Sequence, residues 1–122
     1  METKMTRDNY LKFHVKLCDK ARSLSAKKNA DYAGDHGRQP FANFERCEAL
    51  GITTTEKGFL VRMTDKMSRL STFSETGEFK VSNENFEDTI LDIINYSCLL
   101  AAYVQQKNCG SEGCCDDESC SL

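Results

Sequence analysis

Two rows of polar residues in this 122-residue chain have the spacing of groups that act together on a helix face. Arg62, Asp65, Lys66 and Arg69 fall at i, i+3, i+4 and i+7, so a helix places them on one side, beside Met63 and Met67. Asp88, Asp92 and Asn95 fall at i, i+4 and i+7 in a segment otherwise filled by Ile90, Leu91, Ile93 and Ile94, with Glu84 and Glu87 extending its acidic end. A carboxylate among apolar neighbours is costly unless a cation or several donors meet it. The nearest cations are Arg62, Lys66 and Arg69 on the preceding, antiparallel helix, so the two rows are expected to face each other across a cleft. One reading is a structural network of ion pairs. The other is a pocket in which Asp and Asn fix a polar head group while Arg and Lys neutralise phosphate, a task suited to the planar guanidinium fork. A Mg²⁺ site would draw on Glu84, Asp88 and Asp92, but the partner helix adds only Asp65, set among three cations.

A second group lies upstream. Residues 28–40, KNADYAGDHGRQP, break the helical pattern with two glycines and a closing proline, and a thirteen-residue connection in a small domain is often functional. Tyr32, Phe41 and Phe44 can stack on a base, and Asn43 can make a paired contact with an adenine-like edge. Asp31 can accept from a ribose hydroxyl or an exocyclic amine, and Lys28 stands three residues before it. Phe41 and Phe44 fit ordinary packing of a short helix equally well. His14 and His36 show no ligand-like spacing and are assigned no catalytic role.

The elements that must position these groups are helical. Residues 7–27 carry Tyr10, Leu11, Leu17, Cys18, Ala21 and Leu24 at three-and-four spacing, behind Thr6 as N-cap. Residues 41–50 form a short helix ended by Gly51. Thr53 and Glu56 make a capping box for a helix running to about residue 74, with Phe59, Leu60, Met63, Met67 and Leu70 as its buried stripe. Ser82 or Asn83 caps a last helix over about 84–107, stopped near Gly110, whose apolar residues wrap most of its circumference. Such a helix belongs in the middle of a bundle or at a subunit interface. The expected fold is all-α, a compact four-helix bundle-like domain over residues 1–107, followed by a flexible, acidic, cysteine-rich tail over 108–122.

Composition narrows the function classes. The net charge is −3, and the four acids of 108–122 account for it, leaving +1 for residues 1–107 and no broad basic field for long nucleic acid. Four of the seven cysteines crowd the tail without a nearby His; Cys18, Cys47 and Cys98 are expected to be small core hydrophobes. No long apolar run predicts a membrane span, and the charged opening METKMTRDNY does not look like a secretory signal, so a cytoplasmic protein is expected.

Four motifs in order, KNADY (28–32), PFANF (40–44), RMTDKMSRL (62–70) and EDTILDIINY (87–96), resemble the phage nucleotide-modification-associated domain, type 1, over roughly residues 10–104. The last-helix motif is also similar to MazG-like all-α nucleotide pyrophosphohydrolases, whose paired acidic motifs hold Mg²⁺ over a nucleoside triphosphate. Here the earlier helix carries cations where that family carries half of its metal cage, which favours direct binding of phosphate. The resemblance implies a phage-type protein that holds a phosphate-bearing nucleotide between helices. Its site would comprise Lys28, Asp31, Tyr32, Asn43, Phe44, Arg62, Asp65, Lys66, Arg69, Asp88, Asp92 and Asn95, with no cofactor. Sequestration of a cyclic or signalling nucleotide in counter-defence is the leading expectation. A Mg²⁺-dependent pyrophosphohydrolase and a non-catalytic protein-interaction module are the alternatives. The expected partners are a small-molecule nucleotide and further copies of the chain, in the host cytoplasm if the protein is phage-encoded.

Overall fold

Four helices make up the computed structural model, which describes residues 4–32, 40–77 and 84–109, with the side chains of 29–32 and 84–85 outside that description. They are α1 (Arg7–Tyr32), α2 (Ala42–Ala49), α3 (Thr55–Thr76) and α4 (Glu84–Cys109), and the fold is an all-α bundle. No helix among the described residues is long and apolar enough to cross a membrane.

Local chemistry sets most of the boundaries. The Thr6 hydroxyl accepts from the Asn9 N–H at 3.1 Å, capping the start of α1. Gly51 and Gly77 adopt φ of 76° and 71° directly after α2 and α3, the left-handed geometry that closes a helix at little cost for glycine. Two boundaries differ from the sequence expectation. The cap of α3 is Thr54, whose side chain accepts from the Lys57 N–H, rather than Thr53. Glu56 does not fold back to close a capping box; its Oε2 takes a 2.7 Å hydrogen bond from Lys107 instead. α1 also runs on to Tyr32, through residues expected to begin a loop. Nothing breaks the helix there, since Ala26, Lys27, Lys28 and Ala30 favour it and the first glycine is Gly34. The expected caps of α4, the rest of the 28–40 connection, and the tail from Gly110 onward lie outside the described residues.

α4 is the central helix, packed on α3 along one side and on α1 along another, as its all-round apolar content requires. Glu56–Lys107 joins the start of α3 to the end of α4, and the Phe73 and Phe86 rings meet edge to face at 5.7 Å where α3 ends and α4 begins, so the two run antiparallel. Lys20–Glu87 and Lys28–Asp92 show α1 running alongside α4 in the same direction. The buried centre is aromatic: Phe41, Phe59 and Tyr103, with Phe44, Leu99 and Leu100 against them. Phe44 stacks on Phe59 at 4.0 Å, and Phe41 meets Tyr103 edge to face at 5.4 Å. Ala21 of α1 and Thr89 and Leu91 of α4 are buried as well.

Several expected core positions are not in the core. Leu60 and Met67 face outward, because the side of α3 that meets α4 is centred on Phe59, Lys66 and Phe73, seven residues apart. Cys18 and Cys98 are exposed thiols rather than core hydrophobes, while Cys47 is half-buried. Tyr10 and Leu11 are exposed, since no described residue covers the first turns of α1.

Phe59 has no exposed surface at all and meets three other rings, two from α2 and its N-cap and one from α4. Phe59→Ala should therefore lower unfolding free energy by about 3–5 kcal/mol, read from denaturant-induced loss of the helical circular dichroism signal. A loss below about 1 kcal/mol would show that the aromatic cluster is not the core.

Candidate functional site

Between the C-terminal half of α1, the start of α2, the middle of α3 and the middle of α4 lies a cavity of about 300 Å³. That is the lower end of the range for small-molecule sites. Each helix contributes through its periodicity. Ser25 and Lys28 come from successive turns of α1, and Arg62 and Lys66 from successive turns of α3. Asp92, Asn95, Tyr96 and Leu99 come from one side of α4. Pro40, Asn43 and Phe44 close the wall from α2 and the segment before it.

Seven residues singled out from the sequence thus meet at one place: Lys28, Asn43, Phe44, Arg62, Lys66, Asp92 and Asn95. Three do not. Arg69 lies one turn further along α3, exposed, with its Nε 3.5 Å from Asp65 Oδ2. Asp65 is exposed too and reaches Lys66 Nζ only at 3.9 Å, so this pair forms an outer ion pair rather than part of the lining. Asp88, one turn before Asp92, lines a separate open groove between α1 and α4 with Lys20 and Glu87. Asp31, Tyr32 and Glu84 belong to α1 and α4, but their side chains lie outside the described residues. Ser25, Pro40, Tyr96 and Leu99 were missed, although Tyr96 and Leu99 stand four and seven residues after Asp92 and the same helical rule would have found them.

The centre of the site is one carboxylate held by two ammonium groups. Lys28 Nζ donates to Asp92 Oδ1 at 2.9 Å, and Lys66 Nζ lies 3.1 Å from Oδ2. The Asp92 and Lys66 side chains are only 14% and 13% exposed. Burial raises the Asp92 pKa, but the hydrogen bonds and positive charges of Lys28 and Lys66 together outweigh it and hold the carboxyl below its ordinary value. Two ammonium groups thus share this carboxylate, and Lys66 has the more distant Asp65 as a second acidic neighbour. Arg62, exposed at the edge, adds a further positive charge and has no acidic partner among the described residues.

Two more residues border the same space. Asn95 lines the cavity, and its Nδ2, closed off from solvent, has no hydrogen-bond partner among the described residues, so this donor reaches a ligand when the side chain turns. Leaving such a group unpaired costs about 1–3 kcal/mol, which a ligand acceptor recovers. Asn43 Oδ1 accepts from the Arg46 guanidinium, which leaves the Asn43 amino group as its remaining donor. The apolar wall is aromatic: Phe44 stacks on Phe59 and meets Tyr96 edge to face at 6.1 Å.

A Mg²⁺ ion fits this donor set poorly. Both oxygens of Asp92 are occupied by lysines, Asp88 lines another groove, and no group of three potential ligands from His, Cys, Asp and Glu gathers among the described residues. The arrangement is suited to an anion with hydrogen-bond acceptors and a flat apolar part. No protein-family model, curated protein or solved structure matches the chain.

The Asp92 contacts carry a pH signature. Because its folded pKa is depressed, their contribution to stability is complete above the unfolded-state value, near 3.8, and is lost as pH falls through the lower folded value. Asp92→Asn should lower stability by about 1–3 kcal/mol at neutral pH. The gap to the wild type should close below about pH 4, measured by thermal melts at stepped pH. A gap that stayed constant down to pH 3 would contradict the double-lysine arrangement.

Proposed function

We propose that the cavity binds a phosphate-bearing nucleotide and holds it without cleaving it. The observation that carries this reading is the gathering of Lys28, Lys66 and Arg62 around one cavity in which Asp92 is the one carboxylate among the described lining residues. Lys66 and Arg62 receive the phosphate oxygens, the guanidinium in a fork and the ammonium as a point charge. Asp92 keeps the two lysines in place instead of meeting the ligand's charge. Asn95 donates from Nδ2 to an acceptor on the sugar or base, and the edge formed by Phe44 and Tyr96 receives the base.

Retention rather than hydrolysis follows from the same chemistry. Activating a water for attack on a phosphoanhydride calls for a carboxylate free to bind a metal or take a proton, and both oxygens of Asp92 are engaged by lysines. The four-motif resemblance to phage nucleotide-associated domains gives this binding a setting. A protein made in bulk that withdraws a host signalling nucleotide, linear or cyclic, from the cytoplasm would blunt a defence that depends on it.

The test uses the purified chain and a panel of linear and cyclic nucleotides with Mg²⁺ present. One or more should raise the melting temperature and be recovered chemically intact after heat denaturation, as identified by mass spectrometry. Recovery of a monophosphate and pyrophosphate would establish a hydrolase, and the absence of any shift across the panel would leave a protein-interaction module. Arg62→Ala should weaken the bound nucleotide by about 1.5–3 kcal/mol in calorimetric titration, the scale of a hydrogen bond to a charged group. Its helical signal should be unchanged; unaltered affinity would remove Arg62 from the site.

A further inference from the structure

Arg62, Lys66 and Arg69 make a row of cations along one side of α3, yet only the first two border the cavity. Between the second and the third stands Asp65. Its Oδ2 lies 3.5 Å from Arg69 Nε and 3.9 Å from Lys66 Nζ, so one carboxylate engages the third cation and borders the outer side of the second. Asp65 and Arg69 are 60% and 58% exposed, and an ion pair in that position contributes little to stability. The cavity is also short. α3 and α4 run antiparallel and Lys66 meets Asp92, so Arg62 and Tyr96 each lie one turn from that pair in the same direction. From Asp92 to Leu99 the α4 lining covers about 10 Å of helix. The ammonium groups of Lys28 and Lys66 mark one end, and the aromatic wall of Phe44 and Tyr96 begins about one turn, or roughly 5 Å, away.

We propose that the cavity selects nucleotides with one base and one phosphate, and that Asp65 sets this limit by holding Arg69 away from the ligand. The inference rests on the reading of the cavity as a nucleotide site. One sugar bridges the gap between the aromatic wall and the ammonium groups, which places a single phosphate at Lys66 and Arg62. A second base finds no second aromatic wall among the described lining residues. A second phosphate, growing away from the base, leaves the cavity past Lys66 and meets the Asp65 carboxylate there. Like charges at that distance repel. The next guanidinium is already taken, so the added phosphate gains no fork of donors to offset the repulsion. Without the carboxylate the row would run on from Lys66 to Arg69, one further turn of cation for a longer phosphate chain. Asp65 is thus a specificity-determining residue outside the cavity lining, and Arg69 is the group through which it acts.

Calorimetric titration in metal-free buffer compares the mono-, di- and triphosphates of the four common nucleosides, their cyclic monophosphates and a cyclic dinucleotide. The proteins are the full chain, Asp65→Asn, Arg69→Ala and the double variant, each with its circular dichroism. On the wild type a single-phosphate nucleotide, open or cyclic, should bind most tightly, and Arg69→Ala should leave that affinity unchanged. Asp65→Asn should bind the di- and triphosphate of the same base about three-fold more tightly than the wild type does, and adding Arg69→Ala should abolish the gain. Helical content should be the same in all four, since both positions are exposed. A di- or triphosphate, or the cyclic dinucleotide, that binds the wild type more tightly than any single-phosphate nucleotide overturns this inference and keeps the nucleotide reading. A folded Asp65→Asn chain without the gain, or a gain that survives Arg69→Ala, overturns it as well. Absence of binding by every nucleotide overturns the nucleotide reading itself, and this inference with it.

Discussion

The organisation of this molecule depends on one carboxylate receiving two ammonium groups from different helices. Lys28 brings α1 to Asp92 and Lys66 brings α3 to it, so a single side chain of α4 ties three helices together at the level of the cavity. A half-buried carboxylate with one lysine would be a neutral pair and would leave a neutral hollow. With Lys28, Lys66 and Arg62 against Asp92, cations outnumber carboxylates among the described residues that line the pocket, in a setting where electrostatic interactions are stronger than in water. Burial acts against the ionised Asp92 and the lysines act for it, and the depressed pKa records that the lysines prevail.

The site and the core share a wall. Phe44 lies flat on Phe59, which is wholly buried, and its ring also borders the cavity with Tyr96. The aromatic edge offered to a ligand is therefore held in place by the buried aromatic cluster. The polar side is held differently. Lys28 and Lys66 are positioned by their bonds to Asp92, while Asn95 presents a donor that no described residue uses. Removing core volume and removing the carboxylate should thus disturb the cavity in different ways, one by loosening its wall and the other by releasing its charges.

The fold was legible because helix periodicity and stop signals are local. Gly51 and Gly77 end helices where their positive φ is needed, and the dense apolar content of α4 placed it in the centre. The meeting of Arg62 and Lys66 with Asp92 and Asn95 was legible for the same reason, since a four-residue step keeps a side chain on one face. Height along the helix was not legible. Arg69 and Asp88 satisfy the spacing but stand one turn from the cavity, and only the axial register of α3, α1 and α4 decides that. The extension of α1 to Tyr32 was obscured by glycines that begin two residues later. The exposed Cys18 and Cys98 show a general weakness, because a small apolar residue in a periodic segment fits the edge of a buried stripe as well as its centre.

The most direct measurement is a crystal structure of the chain grown with the nucleotide that stabilises it most. A phosphate oxygen should lie within hydrogen-bond distance of Lys66 Nζ and of the Arg62 guanidinium, with Asn95 Nδ2 donating to the same ligand and Asp92 still bound to both lysines. A nucleotide seated elsewhere, with Lys66 turned to solvent and Asp92 no longer meeting it, would contradict the account at its centre.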